Sequence, residues 1–353
     1  MKKNLRLTLA LALGMATTTF AQDWSVDSRT RTNMSGDNDM FTTEQRARVG
    51  MTFGGEDWSV HASTNANYML GVTESFNATV YEAYATANFM GYADVTIGRQ
   101  ALEYGSGNII GSNQWSANGF TRDAATFDFD NDMADMSFIV QKLNDGVAYD
   151  GSSWGVNAAK EMAGIGFNAL YVSQSVNEVA ATALGLDASY SVMGVDLGVS
   201  YNSLSSDLAP DADDMTMMEI SASYSVSDDL TVRASQTTYG EDGFGLEGSN
   251  LGGFSEGAST GAAWASHGNM GFLAAGDEMM SFGGDYNMGN FTIGATMSTV
   301  TNDGNVDFER NVTEFNLGYA MGDNTSFGLK MATDDAGTGT DNKYMWATLN
   351  VGF

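Results

Sequence analysis

"NKYMWATLNVGF", residues 342–353, decides the fold. Met345, Ala347, Leu349, Val351 and Phe353 stand at every second position, the rhythm of a β-strand whose two faces meet different solvents. Upstream the rhythm recurs. In "DWSVDSRTRTNM" Trp24 and Val26 take one face while Asp27, Arg29, Arg31 and Asn33 take the other, and "RARVGMTF" sets Ala47, Val49, Met51 and Phe53 against Arg46 and Arg48. "YEAYATANF" places Tyr81, Ala83, Ala85, Ala87 and Phe89 opposite Glu82, Tyr84, Thr86 and Asn88.

About eighteen such segments can be counted, with sixteen as the alternative, each roughly 9 to 14 residues long and so matched to a tilted strand crossing a bilayer. Short breaks such as "GGED", "EMAG", "VMGV" and "NMGN" alternate with longer ones at 103–121, 206–213, 241–276, 302–307 and 334–341. Tight turns at one end and loops at the other predict an all-β, transmembrane, antiparallel up-and-down barrel with short periplasmic turns and longer extracellular loops. Aromatic residues at Trp24, Trp58, Tyr68, Phe89, Tyr319 and Phe353 are placed as its membrane belt.

Composition agrees. Glycine numbers 42, proline 1 and cysteine 0, with 14 Tyr and 19 Phe, a strand-forming mixture with neither disulfides nor thiolate metal sites. Lys2, Lys3 and Arg6 precede an apolar stretch from Leu5 to Met15 and a small-residue pattern at Thr19-Phe20-Ala21, so residues 1–21 read as a signal peptide and 22–353 as one barrel domain. Against 44 acidic residues the chain has 15 Lys and Arg, three of them in that leader. Such a surface repels polyanions, and nucleic acid is not an expected partner.

Six arginines are concentrated early: Arg29, Arg31, Arg46, Arg48, Arg99 and Arg122. The first four fall on the polar faces of consecutive strands and predict one basic ladder on the lumen wall, suited to carboxylates because guanidinium stays charged and binds them bidentately. Pairing with wall carboxylates such as Asp27, Glu44 or Glu82 is the structural alternative. Arg99 shares the register of the apolar Val95 and Ile97, and a bulge is expected to turn it inward, because a lipid-facing arginine at mid-membrane costs about 2–4 kcal/mol. With Glu82 and Arg122 these form the expected pore lining. The glycine-rich segment 103–121 is expected to fold into the lumen as a constriction, since eighteen strands enclose a space too wide for wall side chains to fill. Tyr104, Asn113 and Trp115 would offer it stacking and hydrogen-bonding surfaces. Residues 241–276, with Trp264 and His267, would form a second lid.

Residues 81–129 also carry a family pattern: Glu82-Ala83-Tyr84, Gly98-Arg99-Gln100, Tyr104-Gly105, Ile110-Gly111, Trp115 and Asp123-Ala124. The stretch resembles the alginate-export family of outer-membrane β-barrels. That resemblance implies an 18-stranded monomeric barrel passing anionic polysaccharide or related solutes through an arginine-rich constriction. The chain is shorter than such exporters, so a general or sugar-specific porin is an equal expectation. The terminal strand resembles an outer-membrane assembly signal, and the expected partners are outer-membrane lipid and lipopolysaccharide, the barrel-assembly machinery, and small hydrophilic solutes or oligosaccharides.

The expected function is therefore a passive, cofactor-free channel in the outer membrane of a Gram-negative bacterium. A plugged structural or adhesive barrel is the alternative. A less favoured one is a phospholipase, suggested by the His-x-Ser arrangement of His61 and Ser63. These two share the polar face with Asn65 and Asn67, away from acyl chains. "DFDNDM" has calcium-loop spacing but Met133 where that loop needs glycine.

Overall fold

The computed structural model describes residues 21–353 apart from 37–40, 73–74, 113–114, 116–117, 130–131, 144–150, 177–178, 208–209, 212–214, 245–272, 303 and 336–340. Residues 1–20 of the expected leader 1–21, and most of the second lid, with Trp264 and His267, lie outside the described residues.

Eighteen strands follow one another: β1 (Ala21–Asn33), β2 (Thr42–Gly54), β3 (Trp58–Met69), β4 (Asn77–Phe89), β5 (Ala93–Gln100), β6 (Arg122–Phe129), β7 (Asp135–Leu143), β8 (Gly151–Met162) and β9 (Ile165–Val176). The second half comprises β10 (Val179–Val192), β11 (Val195–Ser206), β12 (Met215–Ser225), β13 (Leu230–Tyr239), β14 (Asp277–Met288), β15 (Phe291–Asn302), β16 (Asn305–Gly322), β17 (Thr325–Asp335) and β18 (Asp341–Gly352). Each pairs antiparallel with its neighbours in sequence, and β1 pairs with both β2 and β18, from Asp27 opposite Gly352 to Asn33 opposite Trp346. The sheet is closed, and closure removes the unpaired edges that an open sheet would expose.

Connections alternate as the breaks in the sequence predict. At one end Ala163-Gly164 and Met193-Gly194 make two-residue turns with both residues at positive φ, the turn type whose twist matches paired strands. At the other end lie 101–121 and 240–276. The predicted loop 302–307 is shorter than expected, because β16 already begins at Asn305.

The outer wall is apolar. Trp24, Trp58, Tyr68 and Phe89 are exposed on it, Tyr319 packs on Phe291 with ring centroids 4.5 Å apart, and Phe353 exchanges two backbone hydrogen bonds with Val26. All six predicted belt residues share the register of outward neighbours. Alternation fails at one predicted point: a register shift between Ser63 and Thr64 of β3 leaves Tyr81 as the extra residue of a bulge in β4. Tyr81 is buried beneath the Arg48 guanidinium, inside the barrel and not on the lipid face of Ala83 and Ala85.

The core sits within the barrel. Ile109 and Ile110, 1% and 2% exposed, and Leu102 of segment 101–121 pack against Ile139, Leu170, Val172 and Met217 of the inner wall. Each such isoleucine contributes roughly 1.5–3 kcal/mol of burial, enough to hold an irregular segment inside a polar lumen.

Candidate functional site: the lumen constriction

The basic ladder forms as the alternation predicts. Arg29 stands opposite Arg46, Arg48 opposite Asp27, and Arg31 opposite Glu44, all on the inner face. The expected carboxylate partners engage part of it: Arg46 Nη2 donates to Asp27 Oδ1, and Arg31 Nη2 lies 3.4 Å from Glu44 Oε2. Glu82 is also in the lumen but takes other partners. Its Oε2 lies 3.5 Å from His61 Nε2, and its Oε1 accepts from the backbone N–H of Ala101 at 3.1 Å, tying down the root of the inward segment.

That segment crosses the barrel and is held at both walls. On the ladder side, Arg31 Nη1 donates to the carbonyl of Trp115 at 2.9 Å. Arg48 Nη2 and Asn65 Nδ2 both donate to the carbonyl of Asn118 at 2.9 Å, and Asn67 Nδ2 reaches Asn118 Oδ1. On the far side the Ser106 N–H donates to Asp187 Oδ2 at 3.1 Å, and Asn108 meets Ser200. Gly105 takes φ +56 there, and a Cβ on it would collide with the Asp187 carboxylate and Asn168, so the close crossing requires glycine.

The Trp115 ring is a further anchor. The Arg31 guanidinium lies 4.5 Å from its ring centroid, Lys330 Nζ 5.3 Å, and Trp346 meets it edge-on at 5.9 Å. The ring therefore fastens the segment to β1, β17 and β18. Tyr104 also differs from expectation: it packs against the apolar core, with burial and the nearby Asp128 carboxylate raising its phenol pKa to about 12. It is partly buried and also hydrogen-bonded to Ser137, so its ring serves packing within the wall. Asn113 lies outside the described residues.

Arg122 opens β6 on the inner face, opposite Gln100. Arg99 corrects the prediction. No register shift occurs between β4, β5 and β6 around it, so the expected bulge is absent and Arg99 lies on the outer face, in register with Ala83 and Asp123. Its Nε and Nη2 donate to the two Asp123 oxygens at 2.8 and 2.7 Å. A bidentate pair at the end of the strand neutralises the charge and removes the reason to turn inward.

The wall opposite the ladder is of different character. Ser221, Ser235, Ser281 and Ser298 are successive register partners across β12 to β15, so four hydroxyls form one rung. Beside them is a cavity of about 510 Å³, bordered also by Arg233, Glu219 and Glu314. The lumen thus retains open space away from the arginine ladder of β1 and β2.

His61 has partners other than Ser63. Its Nδ1 lies 2.8 Å from Thr52 Oγ1, its ring stacks on Tyr84, and Ser63 Oγ accepts from the Glu82 N–H.

Several residues of the site escaped the sequence reading. Asn65 and Asn67 were placed on the polar face but not as anchors, and Asn118 carries no composition signal. Tyr81 was hidden by its bulge, whereas Trp346 was legible, since it alternates with the outward Met345 and Ala347.

Solved structures share this architecture. The chain superposes on OccK5 (OpdH) of Pseudomonas aeruginosa with a TM-score of 0.71 at 12% identity, covering 94% of this chain and 98% of that one. This is the fold of porin-type outer-membrane barrels. OccAB2 of Acinetobacter baumannii matches with a TM-score of 0.69 at 11% identity, with 94% and 98% covered. The outer-membrane protein OpdK of Pseudomonas aeruginosa, which has also been solved with vanillate, gives 0.70 at 11% identity over the same shares. No protein-family model matches the chain, and no curated protein matches its sequence. At these identities the likeness is one of fold, and it does not carry the alginate-export resemblance read from residues 81–129.

Proposed function

We propose that this barrel is a passive outer-membrane channel of a Gram-negative bacterium for small hydrophilic solutes bearing a carboxylate, sugar acids among them. The observation that carries the reading is the seating of segment 101–121 between the arginine ladder and the far wall. The lumen so narrowed has a guanidinium-rich face on β1 and β2, and a hydroxyl-rich one, with Glu219 and Glu314, beside open space on β12 to β15. A carboxylate gains from the first and sugar hydroxyls from the second. Two likenesses support the solute class: residues 81–129 with the alginate-export family, and the fold with OpdK, whose solved complex holds an aromatic carboxylate. Lipid and lipopolysaccharide would contact the aromatic outer wall, and the barrel-assembly machinery would engage β18. Catalysis has no part in this function.

Reversal potentials in planar bilayers test the reading. Anion preference that falls in Arg29→Ala and Arg46→Ala supports it, and an unchanged preference rejects the ladder's role.

A plugged surface barrel is the second reading, favoured by the apolar packing of Leu102, Ile109 and Ile110 inside the lumen. The absence of any single-channel conductance would establish it over the first.

A further inference from the structure

The short turns, which an outer-membrane barrel places at its periplasmic end, carry exposed methionines. Four consecutive ones join β4 to β5, β6 to β7, β8 to β9 and β10 to β11. In or beside them stand Met90, Met133, Met162 and Met193, which are 79%, 81%, 64% and 95% exposed, although methionine is a side chain that folds ordinarily cover. Met90 and Met193 sit within their turns at φ 55 and 52, a left-handed conformation that costs a methionine more than the glycine, asparagine or aspartate usual there. Neither turn geometry nor burial asks for methionine at these two positions, and both lie beyond the paired strands that meet lipid.

Spacing and charge define what would cover them. Neighbouring strands lie about 4.8 Å apart, so consecutive turns at one end follow at about 10 Å and four of them span roughly 30 Å of rim. An α-helix rises about 10 Å in seven residues and roughly 30 Å in twenty. Among the described residues, the same arc exposes Asp94, Asp132, Asp135, Glu161 and Asp196 against a single ammonium, that of Lys160. Such a rim repels anionic headgroups and attracts a basic partner. Flexible, polarisable thioethers on it adapt to the apolar face of a helix.

We propose that this arc is a docking surface for a basic amphipathic helix of a periplasmic protein. The apolar face of that helix seats on the four methionines, and its lysines or arginines meet the surrounding carboxylates. The proposal uses neither the arginine ladder nor the passage of solutes, so it stands or falls apart from the channel reading.

The probe is a fluorescein-labelled lysine–alanine peptide of about 24 residues, with leucine at every seventh position to match the turns. It is titrated by fluorescence anisotropy against the full chain in neutral detergent micelles, with empty micelles as the reference. Saturable binding above that reference is expected, weakening as salt is added. Met90→Asn combined with Met193→Asn, in which asparagine suits both turns, should bind about tenfold more weakly or worse. Met133→Gln with Met162→Gln serves if that variant does not fold. Asp135→Asn with Glu161→Gln should weaken binding too, and a peptide with glutamate in place of lysine should not bind. Phe41→Asn, at an exposed residue of the opposite end, should bind as wild type does. Absence of saturable binding to wild type overturns the proposal, as does undiminished affinity in the folded methionine variant or equal binding of the glutamate peptide. Loss of binding in Phe41→Asn overturns the location. Methionine variants that lose affinity for phosphatidylcholine vesicles but keep it for the peptide would assign the turn tips to lipid instead.

Discussion

The Arg48 guanidinium donates to the backbone carbonyl of Asn118 across 70 residues of sequence, at 2.9 Å. Through this bond and the Arg31–Trp115 bond, a ladder that reads as a solute track also fixes the segment that narrows the pore. Part of its cationic capacity is used on the protein's own backbone.

Removing that anchor should widen the passage. Arg48→Ala loses the bond to Asn118 and the stacking on Tyr81, and charge-assisted bonds of this kind contribute roughly 1.5–3 kcal/mol. Single-channel conductance is expected to rise, with more frequent current fluctuations. A conductance at or below wild type would show that 101–121 is held without Arg48.

Asp27 and Glu44 offset two of the four ladder cations. Asp27→Asn and Glu44→Gln are therefore expected to increase anion preference, most visibly at low salt where charges are least screened. The reversal potential under a salt gradient reads this directly.

Arg99 and Asp123 form a pair on the outer wall, so Arg99→Ala should leave ion selectivity unchanged while lowering resistance to thermal unfolding, because it strands the Asp123 carboxylate. Changing both residues to alanine should restore most of the loss. Heat-dependent mobility on detergent gels makes the comparison. A selectivity change in the single variant would return Arg99 to the lumen.

Ile109→Ala removes a side chain from the core inside the lumen and should cost about 2–5 kcal/mol of packing. Because that packing holds the inward segment, faster proteolysis between 101 and 121 is expected with the rest of the barrel intact. Equal cleavage rates would mean that the hydrogen bonds suffice.

Burial raises the Tyr104 phenol to about 12, above its ordinary 10, so the folded state retains the proton longer than the unfolded one. Its contribution to stability is complete below pH 10 and is lost as pH rises from there through about 12. Several tyrosines are raised by burial, Tyr239 among them, and Tyr104→Phe should remove the one phenolate absorbance step that is centred near pH 12. A titration unchanged by that substitution would contradict its burial.

The architecture was legible because a barrel is specified by a local rule. Each strand separates lipid from lumen residue by residue, so alternation such as that of Arg29 and Arg31, or of Leu349 and Val351, gives both the strand and its facing without knowledge of any neighbour. The breaks between strands gave the wiring in the same way. Tertiary structure decided what depends on partners distant in sequence. Tyr81 turns inward because β3 and β4 slip by one residue, Arg99 stays outside because Asp123 lies opposite it, and Trp115 becomes an anchor because Arg31, Lys330 and Trp346 converge on it. No periodicity encodes those meetings, since they arise only when the sheet closes and brings β17 and β18 beside β1.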